Sequence, residues 1–238
     1  MKEPNGLLAM GGDLTPVALI SAYAQGIFPW FGNNEEILWW TPCPRLVLRT
    51  NEIHISRSMR KHLRRSHWKL RYDGAFDDVV HHCAHVARGE EAKGTWITHD
   101  MQAAYQTLHK MGIAHSVEVY EGRRLIGGLY GILLGEMFFG ESMFSLCSNA
   151  SKVALIALSR ACAQAGIELI DCQVDNPHLS SLGASLMPRR DFENHLREAI
   201  KTDMADILKN PLCLVPEGSQ TLTERLNGTV PQSLEQLL

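Results

Sequence analysis

The sequence predicts an α+β protein that combines a small N-terminal domain with a larger domain built on a mostly antiparallel sheet. Helix and strand patterns follow one another in the order helix, antiparallel strands, helix, strand, helix. The central segment 116–144 predicts successive strands joined by short turns at Glu121-Gly122 and Gly135-Glu136, which is typical of a meander. The chain has 238 residues, of which 45% are hydrophobic and 21% charged, so it can bury a sizeable core.

The N-terminal part is expected to contain one helix followed by an irregular connection. Thr15 and Pro16 provide an N-cap followed by proline at the first helical position, and Gly26 comes just after the last turn. The segment IFPWFGNNEEILWWTPCPR then contains two prolines in four residues and several aromatic residues. This composition favours an irregular, aromatic-rich connection over a regular element.

A basic helix is predicted over residues 55–66. The apolar residues Ile55, Met59 and Leu63 recur every four positions and form one seam of this helix. Its other faces carry Arg57, Arg60, Lys61, Arg64 and Arg65. The segment 53–72 contains no acidic residue, although the whole chain has a net charge of −3. A polyanion is therefore the expected partner of the helix, and a merely solvated face is the alternative.

The remaining elements complete the larger domain. Asp100 is the expected N-cap of a helix that ends at Met111. After the meander, an apolar helix is predicted to begin at Ser148 or Asn149 and to end at Gly166. A short apolar strand, IELIDCQV, and an amphipathic helix over 191–201 follow.

These elements predict three parts of the chain. The small N-terminal domain occupies residues 1–54, and the larger domain, which begins with the basic helix, occupies residues 55–201. Residues 202–238 are more polar and punctuated by prolines, so a loosely packed tail is expected there.

Asp171 is the most informative candidate for chemistry. It lies inside the apolar strand segment, where burying an unpaired carboxylate is costly. Gln173, two positions further along the strand, is expected on the same face and could address the same ligand. Glu141, in the segment FFGESMF, is a second candidate acid. A structural role for either acid, with backbone or arginine partners for Asp171, is the alternative.

The sequence does not indicate a nucleotide-binding loop, a clear metal site or a membrane-spanning segment. Gly127, Gly128 and Gly131 form neither GxGxxG nor a P-loop, so no nucleotide cofactor is inferred. A weak resemblance to a metal site is formed by His81, His82, Cys83 and His85. A partly exposed helix face is the favoured interpretation of these four residues. The six cysteines contain no CxxC pair, and no apolar run is long enough to cross a membrane, which favours a cytoplasmic protein.

The chain resembles the leucyl/phenylalanyl-tRNA-protein transferase family from about Glu3 to Leu196. The resemblance is carried, in this order, by GLLAMGGDL, GIFPWF, LWWTPCPR, HISRSM, GTWIT, AHSVEV, GGLYG, FFGESMFS, NASK, LIDCQV, SLGA and MPRRDF. It implies that the larger domain has the acetyltransferase-like (GNAT) fold. It also implies an enzyme that transfers Leu, Phe and less readily Met from aminoacyl-tRNA to acceptor proteins with N-terminal Arg or Lys, which marks them for N-end rule degradation.

The resemblance also implies roles for individual residues. Asp171 and Gln173 match the pair proposed to activate the attacking amine, and Glu141 matches an acid beside the reacting groups. Positions near the terminal adenosine of the tRNA are matched by Trp30, Trp96 and Tyr105. Positions around the aminoacyl side chain are matched by Phe138, Met143, Leu155 and Ile170. Members of the family usually carry a further N-terminal stretch, and the tail beyond residue 202 is not part of the resemblance.

No metal or organic cofactor is required by this chemistry, and the enzyme is expected to act as a monomer. Two other functions remain open. One is an acyl-CoA-dependent acyltransferase of the GNAT type, although the chain lacks the Q/RxxGxG/A loop of such enzymes. The other is a non-enzymatic tRNA-binding protein, which would explain the basic helix but not the grouping of two acids and a glutamine.

Overall fold

The computed structural model describes residues 5–85, 96–218, 220–226, 228 and 230–238. Gly94 and Thr95, the first two residues of the GTWIT segment, lie outside these ranges. The described chain consists of helices and of two sheets with mostly antiparallel strands, so the predicted α+β class is confirmed.

The elements follow the chain in this order. The strands are β1 Leu7–Met10, β2 Phe28–Pro29, β3 Leu38–Trp40, β4 Arg45–Arg49, β5 Lys69–Tyr72, β6 Ala114–Glu121, β7 Arg124–Leu134, β8 Met137–Ser145, β9 Leu169–Gln173 and β10 Ser185–Met187. The helices are α1 Pro16–Ala24, α2 Arg57–Arg65, α3 Phe76–His85, α4 His99–Lys110, α5 Ala150–Gln164, α6 Pro177–Ser180, α7 Arg189–Ile200, α8 Met204–Lys209 and α9 Leu222–Arg225. Short 3-10 helices are formed by Pro211–Leu214 and Leu234–Leu237.

The larger sheet has the strand order β10-β4-β9-β8-β7-β6-β5. Its neighbouring strands are antiparallel, with the exception of the parallel pair β8 and β9. Helix α5 connects these two strands, because a parallel pair needs a crossover connection. The predicted meander is confirmed as β6, β7 and β8.

Two hydrophobic cores lie on opposite faces of the larger sheet. We call them the first core, which contains residues of α1, α3, α4 and α7, and the second core, which contains residues of α2 and α5. Val47 points into the first core, whereas its neighbours Leu46 and Leu48 point into the second. Burial on both faces explains why β7 is almost continuously apolar.

Two glycines of β7 allow close approaches of neighbouring elements. A Cβ atom at Gly127 would lie 2.4 Å from the Cβ atom of Ala150, at the start of α5. A Cβ atom at Gly131 would lie 2.1 Å from the carbonyl oxygen of Phe139, on β8. Both distances are too short for any other residue, so the glycines serve packing between elements.

The predicted first helix is confirmed, but the prediction of an irregular connection after it is wrong. Thr15 caps α1, and its hydroxyl oxygen accepts a hydrogen bond from the amide of Ala18 at 3.3 Å. The aromatic connection contains β2 and β3, which pair with each other and with β1 in a three-stranded antiparallel sheet. Pro29 is tolerated because β2 is an edge strand, where a missing backbone donor costs little.

The basic helix is confirmed as α2. Ser56 caps it, and Met59 and Leu63 are buried in the second core. Strand β4 precedes this helix but lies in the larger sheet, between β10 and β9. The boundary predicted between residues 54 and 55 therefore falls after the first strand of that sheet.

The prediction that Asp100 caps α4 is wrong. Thr98 has the extended backbone of an N-cap, and its hydroxyl oxygen accepts a hydrogen bond from the amide of Met101 at 3.2 Å. Asp100 lies inside the first turn, where a negative charge still complements the helix dipole. The following helix, α5, begins after Asn149, as predicted.

The prediction of a loosely packed tail is also wrong. Several of its apolar residues are buried in the second core, among them the pair Leu222 and Leu226 and the pair Leu234 and Leu237. Their spacing by four and by three residues places each pair on one side of a short helix, and the polar sequence around them conceals this pattern. Polar contacts anchor the segment as well, because Asp73 accepts a hydrogen bond from the amide of Leu222.

The described part of the chain has no helix with the length and apolar character needed to cross a membrane.

Candidate active site

A cavity of about 660 Å³ opens where the two parallel strands separate. Strands β8 and β9 pair only through Phe138 with Ile170 and Phe139 with Asp171. The residues that follow these pairs on both strands, 140–145 and 172–174, line the cavity. The topology of the sheet thus brings Glu141 and Gln173 to the same opening.

A β-bulge sets the position of Glu141. On β7, Tyr130 pairs with Ser142 and the next residue, Gly131, pairs with Gly140, so Glu141 has no partner in the ladder. A bulge of this kind redirects a side chain and is frequent beside functional sites. Glu141 is buried, although its side chain lines the cavity.

Three polar side chains surround the carboxyl group of Glu141. The hydroxyl oxygen of Tyr23, on α1, lies 2.8 Å from Oε1, and that of Tyr105, on α4, lies 2.7 Å from Oε2. Nε2 of Gln173 donates a hydrogen bond to Oε1 at 2.8 Å. Burial raises the pKa of Glu141 to about 7, and the nearby charge of Asp171 acts in the same direction. A carboxyl group of this kind can exchange a proton near neutral pH.

Asp171 is fully buried and does not line the cavity. Its two carboxylate oxygens accept hydrogen bonds from Nε and Nη2 of Arg45, at 2.8 and 2.6 Å. The guanidinium group of Arg45 lies between the rings of Phe28 and Phe192, 4.8 Å from each ring centre. The arrangement has the geometry of a bidentate ion pair in an apolar environment, and it fixes the end of β9.

Gln173 ends β9 in a left-handed conformation, with a φ of 66°. Its amide donates a hydrogen bond to Oδ1 of Asp171 at 2.8 Å, and its side chain lines the cavity. The regular alternation of a strand therefore does not extend to this residue, and the expectation that Asp171 and Gln173 share one face is wrong. Instead, Asp171 holds the backbone from which Gln173 reaches Glu141.

The cavity wall next to Glu141 is mainly apolar. Met143, Leu155 and Ile170, which the family resemblance placed around the aminoacyl side chain, line this wall. Phe138 does not line it; this residue is fully buried in the second core, together with Leu155 and Ile170. Phe138 therefore lies behind the apolar wall, next to residues that form it.

The three aromatic residues predicted near the terminal adenosine have different positions. Trp30 and Trp96 line the cavity, and Trp30 is 42% exposed, so its ring is available for stacking. Trp30 leans against Trp40, with ring centres 5.7 Å apart. Tyr105 is fully buried and does not line the cavity, and its hydroxyl group lies against Glu141, so its place near the adenosine stays a prediction.

The five cations of α2 lie outside the cavity. Arg57, Arg60, Lys61, Arg64 and Arg65 are all exposed. Within the described ranges none of them forms an ion pair, although Nε of Arg60 donates a hydrogen bond to the carbonyl of Ile55 at 3.2 Å. The helix thus presents positive charge that the described acids do not neutralise.

The histidine group on α3 shows ring contacts among its members. The rings of His81 and His85 stack with centres 4.1 Å apart, and the ring of His82 stacks on Phe144. In the part of the chain that the structure describes, no three His, Cys, Asp or Glu side chains are grouped closely enough to hold a metal ion.

Sequence reasoning did not identify Arg45 or Tyr23. A cation for Asp171 was foreseen in general, because a buried carboxylate needs one, but its source in TPCPR is 126 residues away along the chain. Tyr23 looks like an ordinary buried residue of an apolar helix. Its hydroxyl group gains a partner only because α1 packs over the bulge of β8.

Models of a known family match most of the chain. The model described as leucyl/phenylalanyl-tRNA protein transferase matches residues 47–197, and the model of its N-terminal domain matches residues 12–43. The chain belongs to this family. The gap between the two matched regions, residues 44–46, includes the first two residues of β4.

Curated members of the family are similar over most of their length. The leucyl/phenylalanyl-tRNA–protein transferase of Xanthomonas axonopodis pv. citri (strain 306) is 54% identical over 192 residues, which cover 81% of this chain and 77% of that protein. The transferase of the same name from Shewanella baltica (strain OS185) is 53% identical over 198 residues, which cover 83% of each.

Solved structures resemble the chain only distantly. A functionally unknown conserved protein from Staphylococcus epidermidis ATCC 12228 gives a TM-score of 0.43 at 10% identity, covering 76% of this chain and 68% of that one. The structure of L-PGS from Bacillus licheniformis gives 0.37 at 10% identity, covering 72% and 58%. At these values neither structure defines the fold, so the acetyltransferase-like assignment stays a prediction.

Proposed function

We infer that this chain transfers leucine or phenylalanine from aminoacyl-tRNA to a protein. The observation that carries the inference is the cavity itself, in which an apolar wall meets the carboxyl group of Glu141 in a chain that belongs to the transferase family. Burying a leucine or phenylalanine side chain against such a wall contributes roughly 1.5–3 kcal/mol, which supports selection of these donors.

The reaction exchanges an ester for an amide. The nitrogen of the acceptor α-amine attacks the ester carbonyl carbon, the bond from that carbon to the ribose oxygen breaks, and an amide bond forms. The nitrogen loses one proton and the ribose oxygen gains one, so a group that accepts and returns a proton accelerates both changes. Because the ester is already a reactive acyl donor, positioning of the amine is the other requirement.

We propose that Glu141 and Gln173 contact the reacting groups and that Asp171 is a positioning residue. Glu141 and Gln173 line the cavity, whereas Asp171 is enclosed by Arg45 and by the Gln173 amide. These contacts support proton exchange at Glu141 rather than at Asp171. The side chains of Met143, Leu155 and Ile170 would receive the aminoacyl group.

The finer specificity is part of the same proposal. The acceptors are proteins with N-terminal Arg or Lys, methionine is a weaker donor, and the product enters N-end rule degradation. Trp30 and Trp96 support stacking of the terminal adenosine, and the exposed cations of α2 support binding of the tRNA backbone. We further propose that the enzyme is a cytoplasmic monomer with an acetyltransferase-like larger domain, which the mostly antiparallel sheet supports.

The test is a transfer assay with purified chain, tRNA charged with radiolabelled phenylalanine, and a peptide that begins with arginine. The expected result is label in the peptide. The matched control is the same peptide with an acetylated α-amine, which has no nucleophile and should stay unlabelled. Absence of label in the free peptide would contradict the function, and labelling from phenylacetyl-CoA instead of charged tRNA would indicate an acyl-CoA enzyme.

A further inference from the structure

The carboxyl group of Glu141 and two phenol groups form a closed triangle of contacts. The hydroxyl oxygens of Tyr23 and Tyr105 lie 2.6 Å apart, and each lies 2.7–2.8 Å from a different oxygen of Glu141. All three distances are those of O–H···O hydrogen bonds. Both tyrosines are fully buried, and Glu141 is only 8% exposed. A water molecule therefore cannot easily take the place of a missing hydrogen-bond partner.

The number of hydrogen atoms available for the three contacts depends on whether the Glu141 carboxyl group is ionised or protonated. Each phenol has one hydrogen, so two phenols and an ionised carboxylate have two hydrogens for three contacts. One contact then brings two oxygen lone pairs together at hydrogen-bond distance in a buried site, which is unfavourable. A protonated carboxyl group supplies the third hydrogen, and every contact becomes a hydrogen bond.

The direction of the hydrogen bonds follows from Gln173. Its Nε2 donates to Oε1 of Glu141, so Oε1 is the carbonyl oxygen and Oε2 carries the proton. The acid then donates to Tyr105, Tyr105 donates to Tyr23, and Tyr23 donates back to Oε1. In this order each of the three groups in the ring donates once and accepts at least once.

We propose that Tyr23 and Tyr105 hold Glu141 as a neutral carboxylic acid through this closed ring of three hydrogen bonds. Tyr23 and Tyr105 are thus positioning residues that act on the proton of Glu141 and do not touch the substrate. The resting site carries one buried negative charge, Asp171, which Arg45 offsets, and one neutral acid that lines the cavity.

The surroundings of Glu141 are consistent with the neutral form. The titratable and charged groups near it from the neighbouring elements are Tyr23 on α1, Tyr105 on α4, Tyr130 on β7, Asp171 on β9 and Arg45 on β4. Burial raises the pKa of Glu141 to about 7, and the negative charge of Asp171 adds to this effect; hydrogen bonds donated by Tyr105, Tyr23 and Gln173 to an ionised carboxylate act in the opposite direction. The pKa values of both tyrosines are raised as well, mainly by burial, so the phenols keep their hydrogens.

The ring of hydrogen bonds predicts that removal of one phenol hydroxyl group lowers the titration midpoint of Glu141. In Tyr23→Phe, the ionised carboxylate still accepts from Tyr105 and Gln173, and no contact lacks a hydrogen. The neutral acid, by contrast, leaves one hydrogen without an acceptor. The midpoint of the Glu141 titration should therefore fall, by about one pH unit, which corresponds to the loss of one buried hydrogen bond.

The experiment measures this midpoint directly and needs no substrate, so it is independent of the transfer assay. The protein is labelled with ¹³C at the glutamate side-chain carboxyl, and its carboxyl resonances are followed by NMR from about pH 5 to about pH 9. The resonance that is missing in Glu141→Gln is that of Glu141. The wild-type midpoint should be near 7, and Tyr23→Phe and Tyr105→Phe should each lower it.

Tyr72→Phe is the matched control, because the Tyr72 hydroxyl group donates to the carbonyl of Pro231 and belongs to the second core. It should leave the midpoint unchanged. If the phenols were simply two donors to a carboxylate, removal of either would raise the midpoint. A raised or unchanged midpoint in both ring variants, or a wild-type Glu141 that is ionised throughout the range, would overturn the proposal.

Discussion

The two carboxyl groups of the site differ in what surrounds them. Asp171 has a bidentate arginine partner and a backbone donor, so its negative charge is compensated although the side chain is fully buried. Glu141 has neutral partners, and its environment favours the protonated form. Buried charges need such compensation, because the cost of desolvation otherwise exceeds what the fold can supply. The two acids can therefore have different roles within one site.

The first prediction at this scale concerns Asp171→Asn. The change leaves the Arg45 guanidinium as a buried charge without its partner, and we expect the free energy of unfolding to fall by about 3–5 kcal/mol. Transfer should fall by about 100-fold, because Gln173 loses the carboxylate that positions it, while tRNA binding stays nearly intact. Urea unfolding and the radiolabel assay, normalised to the folded fraction, measure these quantities.

Asp175→Asn provides the matched control for this change. Asp175 is exposed on the segment after β9, so its substitution should alter stability by less than about 0.5 kcal/mol. A folded Asp171→Asn protein with transfer close to wild type would show that Asp171 does not position the groups that contact the substrate.

The second prediction concerns the stability of the protein as a function of pH. The pKa of Glu141 is raised from 4.5 to about 7, so between these values the folded state holds a proton that the unfolded state has released. Stability from this group is present at low pH and declines as the pH rises, by about 1.4 kcal/mol per pH unit. Above the folded pKa the decline stops.

Glu141→Gln should remove this contribution, because glutamine does not titrate. We expect the difference in unfolding free energy between wild type and Glu141→Gln to change by about 1.4 kcal/mol per unit between about pH 5 and pH 6.5. Wild type should lose stability relative to the variant as the pH rises. Parallel stability profiles for the two proteins would show that Glu141 titrates in its ordinary range.

At the scale of elements, one face of α2 packs into the core and its other faces expose positive charge. Met59 and Leu63 fix it to the second core, and the remaining faces expose the five cations. The third prediction is that reversal of Arg60, Arg64 and Arg65 to Glu weakens aminoacyl-tRNA binding and reduces the slope of log K against log salt. Each phosphate contact that is lost should reduce that slope by about 0.7–0.9. Filter binding over a salt series measures both effects.

The control for this prediction changes the net charge by the same amount, but on helices other than α2. Lys110, Arg197 and Lys209 are exposed on α4, α7 and α8, and their reversal to Glu alters the charge by the same amount. This control should retain most of the salt dependence. If both triple variants bind equally well, the effect comes from overall charge and α2 is a solvated face.

Elements with strong local signals could be predicted from the sequence, and the others could not. The seam of α2 and the turns of the meander are encoded within a few residues, so both were found. Strands β2 and β3 are very short and owe their existence to pairing across the chain, which no local pattern reveals. In the site, Glu141, Gln173 and Asp171 stood out as polar residues in apolar strands. The roles of Arg45 and Tyr23 could not be predicted, because their partners Asp171 and Glu141 lie on elements that are distant along the chain.

At the scale of the whole molecule, the C-terminal segment completes the second core. The 3-10 helix Leu234–Leu237 contacts both α2 and α5, and the Tyr72 hydroxyl group donates to the carbonyl of Pro231 at 2.7 Å. The segment therefore packs against the helix that carries the cations and against the helix that contributes Leu155 to the cavity wall. Both proposed binding regions depend on a core that the last residues help to fill.

The fourth prediction follows from this packing. Leu237 is the penultimate residue and is fully buried, so Leu237→Ala should leave a cavity and lower the free energy of unfolding by about 2–5 kcal/mol. Leu212→Ala is the matched control, because Leu212 belongs to the same segment but is 41% exposed, and its effect should stay below about 0.5 kcal/mol. Urea unfolding of both variants provides the comparison. Equal stabilities would mean that the C-terminal segment is dispensable for the core, and the cations of α2 would then be supported by the sheet and α5 alone.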